Sequence, residues 1–461
     1  MSESQTATQI ANDVRGKRTS ARAVTEKSLA RIAAVDGKVN SFTDVLGERA
    51  LATAENVDLR LTRGENLALA GVPFAVKNLF DVAGVTTRAG SRINRTNPAA
   101  AKDSILIERL EAAGAVLVGA LNMGEYAYDF TGENAHDGAV RNPHDLAHMS
   151  GGSSSGSGGA VAAGLVPIAL GSDTNGSIRV PSSFCGLFGL KPTYGRLSRA
   201  RTFPFVASLD HLGPIARSAA DLAAAYDAMQ GPDVEDPVCT DRTSQLVSDE
   251  LGKGTSGLRI ATLGGYFQSM GDPEIFRAVS VVANALGAKD KVELPEAARA
   301  RAAAYVITAA EGGQLHLPRL RSRAADFDPD VRDRLLAGAL IPAAWVAAAQ
   351  KLRRWYREQV LQIFDRFDIL LAPSTPTRAP KIGQKTFELG GETMLVRPNI
   401  GIFTQPISFI GLPVVSVPVW LDDGLPVGVQ VIAAPWREDL ALRVANALER
   451  EGICEAPVAS L

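Results

Sequence analysis

Short, almost continuous apolar runs recur along this chain with helical patterns between them, and that alternation narrows the possible folds more than any other feature. GVPFAVK at 71–77, AVLVGAL at 115–121 and LVPIALG at 165–171 are each bounded by Gly, Pro or Asn. Runs that are apolar at successive positions, rather than at every second one, belong to strands covered on both faces. Between two of them, Asp103 to Ala113 carries the apolar spacing of a helix. Strands alternating with helices predict an α/β core built on a largely buried sheet.

The rest of the chain elaborates that core. Apolar spacing from Ala21 to Ile32 follows a Thr19-Ser20 start signal, and the stretch on to Arg63 also reads as helix, so residues 1–65 are expected to form an N-terminal helical layer. Residues 297–365 are dense in Ala, Leu and Arg and predict a helical insert covering a pocket, ahead of a strand at DILLAP, 368–373. PVVSVPVW, the turn Asp422-Asp423-Gly424 and VGVQVIAA read as a hairpin, and Glu438 to Arg450 as a closing helix. No repeat and no Pro-, Gly- or Ser-rich linker cuts the chain, which predicts a single domain over 1–461. With 461 residues, 46% of them apolar, it can bury a large core without staples.

Composition excludes several classes of function. Lys+Arg at 48 against Asp+Glu at 50 leaves no cationic excess to attract nucleic acid or a membrane surface. Cys185, Cys239 and Cys454 are odd in number and widely spaced, unlike a disulfide framework or a zinc site, so no metal and no cofactor is expected. The N-terminus has no apolar leader and no charge-free apolar run reaches 18 residues, so a cytoplasmic, soluble protein is expected.

Two Gly/Ser-rich segments stand out, MSGGSSSGSGGAVAAG at 149–164 and GSDTNGSIRVPSSF at 171–184. A Gly/Ser loop running into a helix start gathers backbone N-H groups and hydroxyls at one place. No phosphate-loop signature, G-x-x-x-x-G-K-[ST] or G-x-G-x-x-G, accompanies them. A serine nucleophile needs a base, ordinarily histidine. Of the five histidines, His136, His144 and His148 lie in a polar loop-like segment, and none of the five, with His211 and His316, follows a G-x-S-x-G elbow. Lysine is the alternative base, but at an ordinary pKa of about 10.4 only about one in 2,500 is neutral at pH 7, so it must be desolvated. Lys77, in PFAVKNLF at the end of a buried-strand pattern, meets that need. A snorkelling lysine on an edge strand is the other reading of the same window.

At these residues the chain resembles the amidase signature family. Lys77 after an apolar strand, Gly151 to Ser154, and Gly171 to Pro181 reproduce the family's pattern, and the resemblance covers almost the whole length. It implies a large mixed, twisted β-sheet covered by helices on both faces. It also implies a Ser-cisSer-Lys triad in which Lys77 and Ser153 relay protons for the nucleophile Ser177. Backbone N-H groups of Thr174, Asn175, Gly176 and Ser177 are then expected to form the oxyanion hole, with Asp173 and Arg179 holding the two loops together.

Within the family, KNLFDVAGVTTRAGS, AAYVITAAEGGQLHL, FTQPISF and VIAAPW are similar to 1-carboxybiuret hydrolases, enzymes of cyanuric acid breakdown that release ammonia. The rival resemblance is to the glutaminase subunit of tRNA-dependent amidotransferases. That subunit pairs an arginine with the glutamine carboxylate and an aspartate with its α-amino group. Here Arg334 stands at the arginine and Gly401 at the aspartate, which suits a carboxylate without an α-amine. Tyr128 and Gly152 are further candidate substrate contacts. A general small-amide hydrolase and a catalytically silent partner are the remaining readings. The resemblance also implies a homodimer and a small helical companion subunit, with no nucleic acid or membrane partner. Three positions depart from the family: Ser155 and Asn175, where Gly is commoner, and Gly124, where an acidic residue is usual.

Overall fold

The computed structural model describes residues 5–421 and 424–461. Among them, eleven strands form one mixed sheet flanked by helices. In spatial order these are Phe42–Val45, Val116–Leu121, Pro73–Lys77, Ile168–Asp173, His211–Ala216, Phe188–Lys191, Val414–Val419, Val427–Ala433, Ile369–Pro373, Ile260–Leu263 and Asp290–Val292. Strands from the first and last thirds of the chain thus share one sheet. Every residue of Pro73–Lys77, Val116–Leu121 and Ile168–Asp173 is buried, which is why these segments are apolar at successive positions.

Pro73–Lys77 runs parallel to both of its neighbours, Val116–Leu121 and Ile168–Asp173. With Val76 opposite Leu170, the carboxyl ends of two parallel strands come together at Lys77 and Ser172. That edge of a parallel sheet is where α/β proteins place their sites. The third strand differs from its apolar run. It starts at Ile168, past Pro167, which has no N-H to give a ladder, and continues through Gly171, Ser172 and Asp173, paired antiparallel to Gly213, Leu212 and His211.

The N-terminal expectation requires correction. Residues 1–65 are not helical throughout: Ala7–Arg15, Ala21–Val39 and Gly47–Thr62 are helices, but Phe42–Val45 is an edge strand antiparallel to Val116–Leu121. The Ser20 hydroxyl caps the second helix by accepting the Ala23 N-H at 3.1 Å. That helix ends on Asn40 at φ 66°, and the Asp36 carboxylate takes the next two N-H groups, those of Ser41 and Phe42, turning the chain into the sheet. Four residues of strand between two helices are too few to show against the helical period on either side.

The 297–365 segment folds as helices Ala297–Arg323, Pro329–Ala339 and Ala343–Ile363. Val414–Val419 and Val427–Ala433 pair antiparallel as a hairpin reading requires, while its turn residues Asp422 and Asp423 lie outside the described residues. The closing helix runs Glu438–Arg450. No single helix among the described residues is long and apolar enough to cross a membrane.

Candidate active site

Lys77 ends its strand fully buried. Its Nζ lies 2.6 Å from Ser153 Oγ, 2.9 Å from Ser172 Oγ and 3.2 Å from Ser154 Oγ. Burial pulls the ammonium down to about 7, against the opposing pull of the Asp210, Asp173 and Asp129 carboxylates. Three hydroxyl neighbours suit a neutral amine, which has two N-H donors and one lone pair. Ser154 donates its proton to the Ser172 carbonyl at 3.1 Å, so it can only accept from Lys77. Neither the Ser153 nor the Ser172 hydroxyl has another hydrogen-bond partner among the described residues, so either can turn its proton to the lone pair of a neutral lysine. The Gly152–Ser153 peptide bond is cis.

Ser177 is the last residue of the four-residue turn 174–177 that follows the strand Ile168–Asp173, and it is 3% exposed. Its hydroxyl makes no hydrogen bond to Ser153 among the described residues. It borders a small cavity with Thr174, Asn175, Tyr128, Asp129 and Arg334. Among the described residues, none of the N-H groups of Thr174, Asn175, Gly176 and Ser177 is taken by a protein acceptor outside regular secondary structure. Such a row of free N-H groups suits an anion. Gly176 sits at φ 143°, and a Cβ there would lie 2.3 Å from Thr404 Oγ1, a hydroxyl that donates to the Asn175 carbonyl at 2.6 Å. Gly176→Ala is therefore expected to displace the turn and lower kcat about 100-fold, the scale of losing an oxyanion donor. Steady-state kinetics with a near-normal unfolding midpoint would check it.

Asp173 and Arg179 do not hold the two Gly/Ser loops together. They bond each other, Nε to Oδ2 at 3.0 Å, and Arg179 goes on to Thr404 O and Gln430 Oε1, tying the 174–177 turn to the C-terminal part of the chain. Side chains alternate along a strand, so Ser172 points to Lys77 and Asp173 to the opposite face. The loops are joined instead by Ser154 and Ser172, through the Ser154 hydroxyl and the Ser172 N-H at 3.2 Å.

Tyr128 and Arg334 do meet at the cavity: the guanidinium carbon stacks 3.6 Å from the Tyr128 ring centre, and Nη1 donates to the Tyr128 carbonyl at 2.8 Å. Arg334 Nε, Tyr128 Oη and Asn175 Oδ1 are buried there; Tyr128 Oη lies near Arg334 and Tyr305, and Asn175 Oδ1 has no protein partner among the described residues. Gly152 is not a cavity donor, because its N-H is spent on the Phe130 carbonyl at 2.8 Å. At Gly401 a Cβ would fall 2.5 Å from the Phe130 ring, so that ring fills the space a side chain would need. At Gly124 a Cβ would meet Asp129 Cβ at 2.5 Å, so Asp129 excludes the acidic residue usual there. The Ser155 hydroxyl turns away to the Asn122 carbonyl.

None of the five histidines borders the cavity. His211 Nδ1 rests against the Leu209 and Asp173 carbonyls, and burial lowers His316 to about 3. Cys185 is buried, which pushes its thiol well above the ordinary range. Sequence reasoning missed Ser172, Asp210 and Thr308. Ser172 sits inside the GSDTNGS segment and could have been found there. Asp210, whose carboxyl burial pushes up, accepts Thr174 Oγ1 at 2.6 Å, and Thr308 accepts Asn175 Nδ2 at 2.8 Å. Neither lies in any local motif, since each is brought in by another part of the fold.

This geometry agrees with comparison to known proteins. The chain matches the Amidase family over residues 23–442. It is 55% identical over 448 residues to AtzE, a 1-carboxybiuret hydrolase subunit of Pseudomonas sp. (strain ADP), covering 96% of this chain and 98% of that protein. It is 39% identical over 470 residues to a glutamyl-tRNA(Gln) amidotransferase subunit from Azotobacter vinelandii, covering 96% of each. Among solved structures, one that describes a vestigial protein complex of an s-triazine catabolic enzyme superimposes with a TM-score of 0.97 at 54% identity, over 98% of this chain and 100% of that one. The chain belongs to the amidase signature family. It is a hydrolase of carbon–nitrogen bonds in linear amides.

Proposed function

We propose that this enzyme hydrolyses 1-carboxybiuret to urea-1,3-dicarboxylate with release of ammonia, through a Ser177 acyl-enzyme. The observation that carries the chemistry is the buried Lys77 amine, 2.6 Å from Ser153 Oγ at the carboxyl ends of two parallel strands. Neutral Lys77 takes the Ser153 proton as Ser153 takes that of Ser177, and Ser177 Oγ adds to the terminal carboxamide carbon. The free N-H groups of the 174–177 turn hold the oxyanion. Collapse breaks the C–N bond, with the proton returned through Ser153 to the departing nitrogen. Water then adds to the acyl carbon, its proton taken along the same relay, and Ser177 is released.

Specificity rests on the other wall of the cavity. Arg334 offers a planar, permanently charged partner for a carboxylate, with Tyr128 Oη beside it. No carboxylate stands at position 401 to hold an α-ammonium, and the Phe130 ring occupies that space. Glutamine thus has a partner for its carboxylate but none at position 401 for its amine, and the one carboxylate lining the cavity, Asp129, is already taken by Thr131, Gly132 and Arg397. The helical segment 297–363 covers the site, supplying Tyr305, Thr308 and Arg334 to its wall. The cavity has room for about one water, so binding a substrate larger than that requires its lining side chains to move.

Purified enzyme is expected to release one ammonia per 1-carboxybiuret and none from glutamine. Glutamine turnover stimulated by ATP and charged tRNA would instead support the amidotransferase reading. Similarity to a protein described in a protein complex supports a companion subunit here too. Co-expression with a candidate companion, followed by light scattering, tests that assembly.

A further inference from the structure

We infer that Asn175 selects ureides over simple carboxamides, its Oδ1 accepting the N-H that adjoins the scissile carbonyl on the acyl side. The inference builds on the reading of the cavity given above. Asn175 is 6% exposed and borders the cavity beside Ser177. Its conformation is held from both ends: Thr404 Oγ1 donates to its carbonyl at 2.6 Å, and its own Nδ2 donates to Thr308 Oγ1 at 2.8 Å. With the amide nitrogen engaged, Oδ1 remains, buried and without a donor among the described residues. A buried acceptor left unpaired is costly, so a ligand that supplies an N-H there gains and one that supplies a methylene does not.

The groups around it define what that ligand is. Arg334 Nε can only donate and Tyr128 Oη can donate, while the lining acceptors Asp129 and Gln405 are already taken by Arg397 and Arg301, so this wall suits carboxylate and carbonyl oxygens. Asn175 Oδ1 adds one acceptor among them. Its anchor, Thr308, and Arg334 line the cavity with it, whereas Lys77 and Ser153, through which the departing nitrogen must receive its proton, do not border it. The N-H that meets Asn175 is therefore on the acyl side. A carboxylate joined through N-H to the reacting carbonyl satisfies both sets of groups; glutamine and its analogues place CH2 at that point.

The test compares two stable acids that differ at that one atom, N-carbamoyl-β-alanine and glutaramate. Calorimetric titration of the Ser177→Ala protein is expected to give a Kd about 10- to 100-fold lower for the carbamoyl acid. Adding Asn175→Gly should bring the two Kd values within about threefold of each other. Thr308→Val, which keeps Asn175 but frees its carboxamide, should narrow the ratio partway. Equal affinities in the parent, binding of neither acid at millimolar concentration, or an unchanged ratio in Asn175→Gly would each overturn the inference. Parallel weakening of both acids by Asn175→Gly would also overturn it, showing that Asn175 serves only the shape of the turn. Because binding is read without turnover, failure here is distinct from failure of wild-type enzyme to release ammonia from 1-carboxybiuret.

Discussion

Ser177→Ala and Lys77→Ala are each expected to lower kcat at least 10⁴-fold, and the double variant to be scarcely worse than either. Residues that act as a unit in one proton relay lose the same step when any member is removed, so their effects do not add. Lys77→Arg is the sharper variant. It preserves the charge but cannot give up its proton, since guanidinium stays protonated in proteins. It should be as inactive as the alanine, whereas a purely structural lysine would tolerate it better. The required form of Lys77 is the neutral one, and burial sets its pKa at about 7. Activity should then rise with pH, about tenfold per unit in acid, and level off above about 7. A kcat/KM profile flat from pH 5 to 9, or an active Lys77→Arg enzyme, would remove lysine from the role of base. Cys185→Ala should remain active, because a thiol buried away from any cation is a poor nucleophile.

Arg179→Met is expected to destabilise the fold by about 3–5 kcal/mol, the cost of leaving one member of a fully buried ion pair alone. Both side chains are completely buried, so solvent does not dilute the interaction. Burial opposes ionisation of Asp173, yet the Arg179 guanidinium, helped by Lys191 and His211, holds its carboxyl well below the usual range. Removing Arg179 strands that carboxylate beside the Ser408 hydroxyl and the Ile178 N-H, and frees Thr404 O and Gln430 Oε1 as well. The turn carrying Ser177 would lose its tie through Arg179 to Gln430 and keep that of the Thr404 hydroxyl to the Asn175 carbonyl, so activity should fall with stability. Asp173→Asn combined with Arg179→Met should recover part of the loss, since no charge is then left buried. Urea unfolding of the two single variants and the double variant measures the coupling; additive effects would mean the pair contributes no more than its packing.

Much of this was legible before folding. The runs at 71–77, 115–121 and 165–171 lie where strands lie, because a segment buried on both faces has no solvent face to make polar. Lys77 showed itself as a cation in such a run, and the two Gly/Ser segments as turns that few other residues could form. The edge strand Phe42–Val45 was hidden, because its partner is supplied by Val116–Leu121, far along the chain. Asp173 and Arg179 were visible as a pair within one motif, but their direction was not. It depends on which face of the strand turns toward Gln430 and Thr404.

The chain alone therefore determined the kinds of group present: an amine that must be dry, serines on glycine turns, an arginine at 334 and a glycine at 401. These follow from backbone geometry and burial, which local sequence encodes. What only the tertiary structure decided is their distances: the 2.6 Å from Lys77 to Ser153, the choice of Ser172 as a further hydroxyl on the amine, and the grip of Thr308 on Asn175. Each of those contacts joins residues from different strands, loops or helices. Long-range packing of the sheet, and not any local preference, brings them within hydrogen-bond reach.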